Sequence, residues 1–106
     1  MSDRVRFADV IPYDTPSSLA ALHGPADGVL TLPITVYWGP QREFDLSDHD
    51  TLIKAYRNIV REGTRHVQES TLHASTLLQV WRDLALPARC AAAWESKFPE
   101  LAAGLQ

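Results

Sequence analysis

The sequence predicts a small α+β domain, mostly helical, in which a short N-terminal helix is followed by one β-hairpin and then by three to four helices. Three observations carry that prediction. Residues 30–46, LTLPITVYWGPQREFDL, alternate between two faces, with Leu30, Leu32, Ile34, Val36 and Trp38 on one side and Thr31, Pro33, Thr35 and Tyr37 on the other, the period-two pattern of a half-buried strand. Everything after them carries apolar residues at helical spacing. A chain of 106 residues, 45% hydrophobic and 22% charged, is also long enough to enclose a core of its own, which predicts a single domain over 1–106. A lone hairpin is marginal in water, so its apolar face must be covered by the helices, by another chain, or by both.

Residues 1–13 show neither period and read as a flexible tail or an extended segment laid on the body. Thr15 as N-cap, Pro16 at the first helical position and Gly24 as a left-handed stop before Pro25 then frame a short helix. The hairpin covers 29–46: a strand running to Trp38, a turn at Gly39-Pro40, and a return strand through Arg42, Phe44 and Leu46. Pro33 lacks a backbone donor and places the first strand at a sheet edge.

The helical part spans 47–104. Ser47 as N-cap with Asp50 three residues on resembles a capping box, and the helix it opens buries Leu52, Tyr56, Ile59 and Val60 before stopping at Gly63. Thr64 caps a shorter turn over 65–68. Leu72 and Leu77 flank His73 as a hydrophobic staple and launch a helix with Leu78, Trp81 and Leu84. Pro87, Cys90, Ala91, Trp94 and Phe98 form the inward stripe of the last helix, which Pro99 closes. Trp38, Tyr56, Trp81, Trp94 and Phe98 are the expected core anchors.

A single cysteine cannot form an internal bridge, the opening MSDRVRFADVIPYD lacks an apolar leader pattern, and no window approaches a membrane span. These features predict a cytoplasmic protein. Charge is unevenly divided: residues 1–53 carry three basic and eight acidic side chains, a net of −5, whereas 54–106 carry seven basic and five acidic, a net of +2. The total of −3 disfavours affinity founded mainly on counterion release from phosphates.

Few residues suggest reaction chemistry. His66, Glu69 and His73 come nearest to a metal set, but histidines seven apart span two turns, and Ser70-Thr71 is expected to break the helix between them. Glu43, Asp45, Asp48 and Asp50 cluster without the glycine and terminal glutamate of a calcium loop, and helix capping accounts for the last two. Cys90 sits among alanines on an apolar face and reads as a buried thiol. Ser17, Ser18, Ser47, Ser70 and Ser75 fall in no nucleophile-elbow context, and there is no Gly-rich phosphate loop. No catalytic residue, cofactor or metal site is expected.

Binding features are stronger. Lys54, Arg57, Arg61 and Arg65 are expected to project from one side of the capped helix, as a solvated face or as a surface for nucleic acid or an acidic protein patch. The hairpin is suited either to folding back over the helices or to extending a partner's sheet.

Taken together, LHGP at 22–25, LTLPITVYWGP at 30–40, FDLSD at 44–48, REGT at 61–64 and LALPARCAAAWESKFPEL at 84–101 resemble, in order and spacing, a family of short actinobacterial proteins encoded beside AbiEii-type nucleotidyltransferase toxins. The resemblance covers residues 20–101. It implies a toxin–antitoxin or phage-defence operon, with this chain as antitoxin or accessory partner. The Gly-Ser motif and spaced aspartates of the nucleotidyltransferase itself are absent from the sequence. So is any assignable basic recognition helix like that of the larger, winged-helix AbiEi-type antitoxins. The matching residues Trp38, Gly39, Pro40, Phe44, Asp45 and Leu46, with Gly63, Trp81, Leu86, Pro87 and Trp94, carry over as scaffold.

The sequence thus predicts a non-enzymatic protein-binding module that occludes the cleft of a nucleotidyltransferase toxin, with Tyr37, Arg42, Glu43, Arg57 and Arg61 as partner-binding residues. The acidic front half suits a cleft shaped for triphosphate and tRNA. The alternative is a small DNA-binding regulator using the basic face over 54–65.

Overall fold

The computed structural model of the chain describes residues 13–33, 36 and 43–103. Within them a 3₁₀ turn (Leu19–Ala21) precedes strands β1 (Val29–Thr31) and β2 (Glu43–Asp45). Helices α1 (His49–Glu62), α2 (Arg65–Thr71) and α3 (Ala74–Val80) follow, then a second 3₁₀ turn (Trp81–Leu84), α4 (Ala88–Lys97) and α5 (Pro99–Ala103). This is the mostly helical α+β architecture the sequence predicts.

The two strands pair antiparallel, Leu30 opposite Phe44, with Val29 opposite Asp45 and Thr31 opposite Glu43. Leu30, Phe44 and the following Leu46 are buried while Val29, Thr31, Glu43 and Asp45 are exposed, so one face of the ribbon packs inward and β2 lies on α1. Among the described residues the first strand ends at Thr31. Val36 donates its N–H to the Pro33 carbonyl at 2.9 Å, closing a turn where a strand running to Trp38 is expected. Leu32 and Val36 are nonetheless buried. Among the described residues the period-two pattern therefore reports inward-facing side chains beyond the paired segment Val29–Thr31. Tyr37, Trp38, the Gly39-Pro40 turn and Arg42 lie outside the described residues.

Helix α1 begins one residue later than the capping-box reading places it. Both the N–H and the hydroxyl of Ser47 go to Asp45 Oδ1, at 2.9 and 2.7 Å. With that hydroxyl committed, Asp48 becomes the N-cap and accepts from the Thr51 N–H at 3.1 Å, where a carboxylate also favours the positive end of the helix dipole. The helix buries Leu52, Ile53, Ala55, Tyr56, Ile59 and Val60 and stops at Gly63. A Cβ there would lie 2.6 Å from the Ile59 carbonyl oxygen, so glycine is required by close approach.

Thr64 caps α2 through the Val67 N–H, as expected. The break before α3 falls at Leu72, and His73 is the N-cap of α3 with its own N–H donated to the fully buried Tyr56 hydroxyl at 3.0 Å. Leu72 and Leu77 are both fully buried on either side of it, the staple geometry. Pro99 closes α4 and also opens α5 as its first residue, a position that needs no N–H.

The N-terminal segment departs furthest from expectation. Thr15 caps nothing; Ser18 is the N-cap of a three-residue 3₁₀ turn, accepting from the Ala21 N–H. Gly24 has no left-handed conformation. The His23 and Gly24 N–H groups instead donate to the Glu69 and Leu72 carbonyls, both at 2.8 Å, and satisfy acceptors at the C-terminal end of α2 that the helix cannot pair itself. Tyr13, counted with the tail in the sequence reading, packs against the core.

That core is one cluster running from Leu22 to Leu101. At its centre the Trp94 ring lies 5.8 Å from that of Trp81 and 6.1 Å from that of Phe98, tilted against both, a geometry that favours aromatic pairs. Trp81 Nε1 donates to Glu95 Oε2 at 2.8 Å.

Candidate functional site

The outer face of α1 forms a groove of about 590 Å³. It is lined by His49, Asp50, Ile53, Lys54, Arg57, Asn58 and Arg61 of the helix and by Asp83 of the second 3₁₀ turn. The recurrence at every third to fourth residue is the helical period, so four successive turns contribute side chains to one wall. Charge is sorted along it. Asp50 and Asp83 mark the N-terminal end, where His49 Nε2 lies 3.9 Å from Asp83 Oδ2. Lys54, Arg57 and Arg61 occupy the remaining turns, and this order also complements the α1 dipole.

Arg57 is the best-defined cation of the groove. Its Nε donates to the Leu84 carbonyl at 2.7 Å, and Ala85, next in the chain, has the left-handed φ of 51°. That turn leaves the Leu84 carbonyl at the end of a 3₁₀ segment with no helical donor following it, and the guanidinium supplies one. Arg61 is exposed and lies 3.9 Å from the exposed Glu62, a pair worth little in water.

Arg57 and Arg61, both expected to bind a partner, therefore share one surface. Glu43 stands apart from them, exposed on the outer face of the ribbon, and Tyr37 and Arg42 lie outside the described residues. Arg65 does not continue the basic row. Its Nε donates to the Thr15 carbonyl at 3.3 Å, because the chain turns at Gly63 and α2 carries Arg65 towards the N-terminal segment.

The histidine and glutamate set is also resolved. Ser70 and Thr71 do not break the helix: α2 holds His66 and runs through Thr71, Leu72 ends it, and His73 is the N-cap of α3 with its Nδ1 3.1 Å from the Thr76 hydroxyl. The Glu69 carboxylate accepts from Ser17. Among the described residues no three metal-ligating side chains converge. Cys90 is buried, and burial pushes its thiol up to about 11, so the thiolate that reacts or ligates is suppressed at neutral pH.

Asp83 and Gln68 were not legible as organising residues. Gln68 is wholly buried, and its Nε2 donates to the Asp14 carbonyl at 2.8 Å and the Gly63 carbonyl at 3.0 Å, tying the N-terminal segment to the α1–α2 corner. A glutamine on the inward stripe of α2, level with Thr71 and Leu72, is the one signal the sequence offers for it.

No helix among the described residues is long and apolar enough to cross a membrane. Compared with known proteins, the chain matches no family model, no curated protein sequence and no solved structure.

Proposed function

We propose that this chain is a non-enzymatic, cytoplasmic protein-binding module, the antitoxin or accessory partner of a nucleotidyltransferase toxin in a toxin–antitoxin or phage-defence operon. The observation that carries this reading is the polarised groove along α1. Asp50 and Asp83 lie at its acidic end, Lys54, Arg57 and Arg61 follow along it, and Glu43, Asp45 and Asp48 are exposed apart from it. An acidic corner of this kind complements a cleft that holds triphosphate and tRNA, and the adjacent cations add orientation to the encounter. The sequence resemblance supplies the partner class.

The DNA-binding alternative is weaker, because Arg65 is committed to Thr15 and carboxylates at one end interrupt the basic track. The test is co-expression with the neighbouring nucleotidyltransferase. A stable complex and restored growth support the reading; separate elution and unrelieved toxicity remove it.

A further inference from the structure

We propose that the α1 groove is the docking site for an acidic helical segment of a protein partner, with Arg57 as the anchor for a carboxylate. This rests on the protein-binding reading and assigns it a surface and a partner chemistry.

Three observations converge on the groove. The first is preorganisation. Donation from Nε to the Leu84 carbonyl at 2.7 Å fixes the half-buried Arg57 guanidinium, and the two Nη groups make no hydrogen bond among the described residues. They form the end-on fork that matches a carboxylate, already ordered before binding. The second is spacing. Arg61 lies one turn further on, about 6 Å along the axis, and Asp50 lies seven residues back, about 10 Å in the other direction. A partner helix with acidic residues four apart and a basic residue seven beyond them meets all three charges. The third is the floor, where buried Ile53 offers apolar contact between the charged ends.

Charge complementarity selects a peptide over a nucleic acid. A phosphate backbone presents one sign throughout and would set phosphates against Asp50 and Asp83 on a chain of net charge −3. A mixed-sign helix satisfies both ends of the groove.

The test is an NMR titration of the ¹⁵N-labelled full chain with a synthetic alanine-based helix carrying a Glu-x-x-x-Glu pair and a lysine seven residues beyond it. Its charge-reversed counterpart and a short DNA duplex serve as competitors. The acidic peptide is expected to shift the amides of Ile53, Lys54, Arg57, Asn58 and Arg61 and to weaken as salt rises. Arg57→Lys keeps the charge but loses the fork and should weaken binding about tenfold. Arg61→Gln, at a side chain outside the core, should weaken it about threefold.

Absence of shifts on this face, equal binding of the reversed peptide, or tighter binding of the duplex at the same residues overturns the proposal. Failure of the nucleotidyltransferase to bind while the acidic peptide does would remove the partner assignment and leave the groove. A toxin complex indifferent to Arg57→Lys and Arg61→Gln would do the reverse.

Discussion

Glu69 holds Ser17 by both of its donors, with Oε2 lying 2.8 Å from the backbone N and 2.8 Å from the hydroxyl Oγ of a residue 52 positions earlier. The Ser17 N–H first, then its hydroxyl, hold the Glu69 carboxyl below its ordinary value of 4.5, with Arg65 and His23 adding in the same direction. The N-terminal segment is thereby tied to α2 by an ionised acceptor.

The sign of the resulting pH dependence follows from that depression. A carboxyl whose pKa is lower folded than unfolded adds stability above the unfolded value, and loses it as pH falls through the folded one. The Ser17 amide shift should therefore titrate with a midpoint below 4.5, and Ser17→Ala should raise the Glu69 midpoint towards the ordinary range. A Glu69 midpoint unchanged by Ser17→Ala would contradict the tie.

Gly24→Ala should destabilise the fold by about 2–3 kcal/mol in thermal or denaturant unfolding, the cost of forcing a methyl into a packed backbone contact. The added Cβ would lie 2.2 Å from the Thr71 carbonyl carbon and 2.3 Å from its oxygen. Gly28→Ala is the control: its Cβ meets nothing within 4 Å, so the cost comes from the φ of 90° alone and should be about 1 kcal/mol.

These interactions separate what the sequence reveals from what it does not. Gly63, the Thr64 cap, the Leu72–Leu77 staple and the Cys90, Trp94 and Phe98 stripe were legible because each is set within one or two turns of its own helix, whereas Pro87, expected on that stripe, is exposed. Gly24, expected as a left-handed helix stop, is not one, since the 3₁₀ turn ends at Ala21 with Leu22 as its C-cap; its role is decided by α2 packing against it from far along the chain. The Ser47 and Asp48 exchange turned on Asp45, a competitor two residues upstream that takes the serine hydroxyl. Three of the charged groove residues, Lys54, Arg57 and Arg61, were visible as a helical face, but the bond from Arg57 to Leu84 crosses 27 positions and has no local signature.

Asp48→Ala should lower stability by about 1 kcal/mol, the usual loss of an N-cap carboxylate, whereas Ser47→Ala should cost less in α1 stability. Denaturant melts of the two variants decide between the observed cap and the capping-box alternative.

Cys90 should resist alkylation in the folded protein at pH 8 and react fully once unfolded. Its thiol is raised from 9.0 to about 11 by burial, outweighing the lowering effect of Arg61. Because the folded value is the higher one, the stability it represents is complete below pH 9 and is lost as pH rises towards 11. Modification in the native state at the rate of a free thiol would contradict this burial.

Whether the α1 surface serves a protein partner is decided by calorimetric titration of the full chain, wild type and Arg61→Glu, into the nucleotidyltransferase proposed above as its partner. Saturable binding that weakens with salt and falls at least tenfold on charge reversal is the expected result. Absence of binding, or an affinity indifferent to both salt and Arg61→Glu, would contradict it.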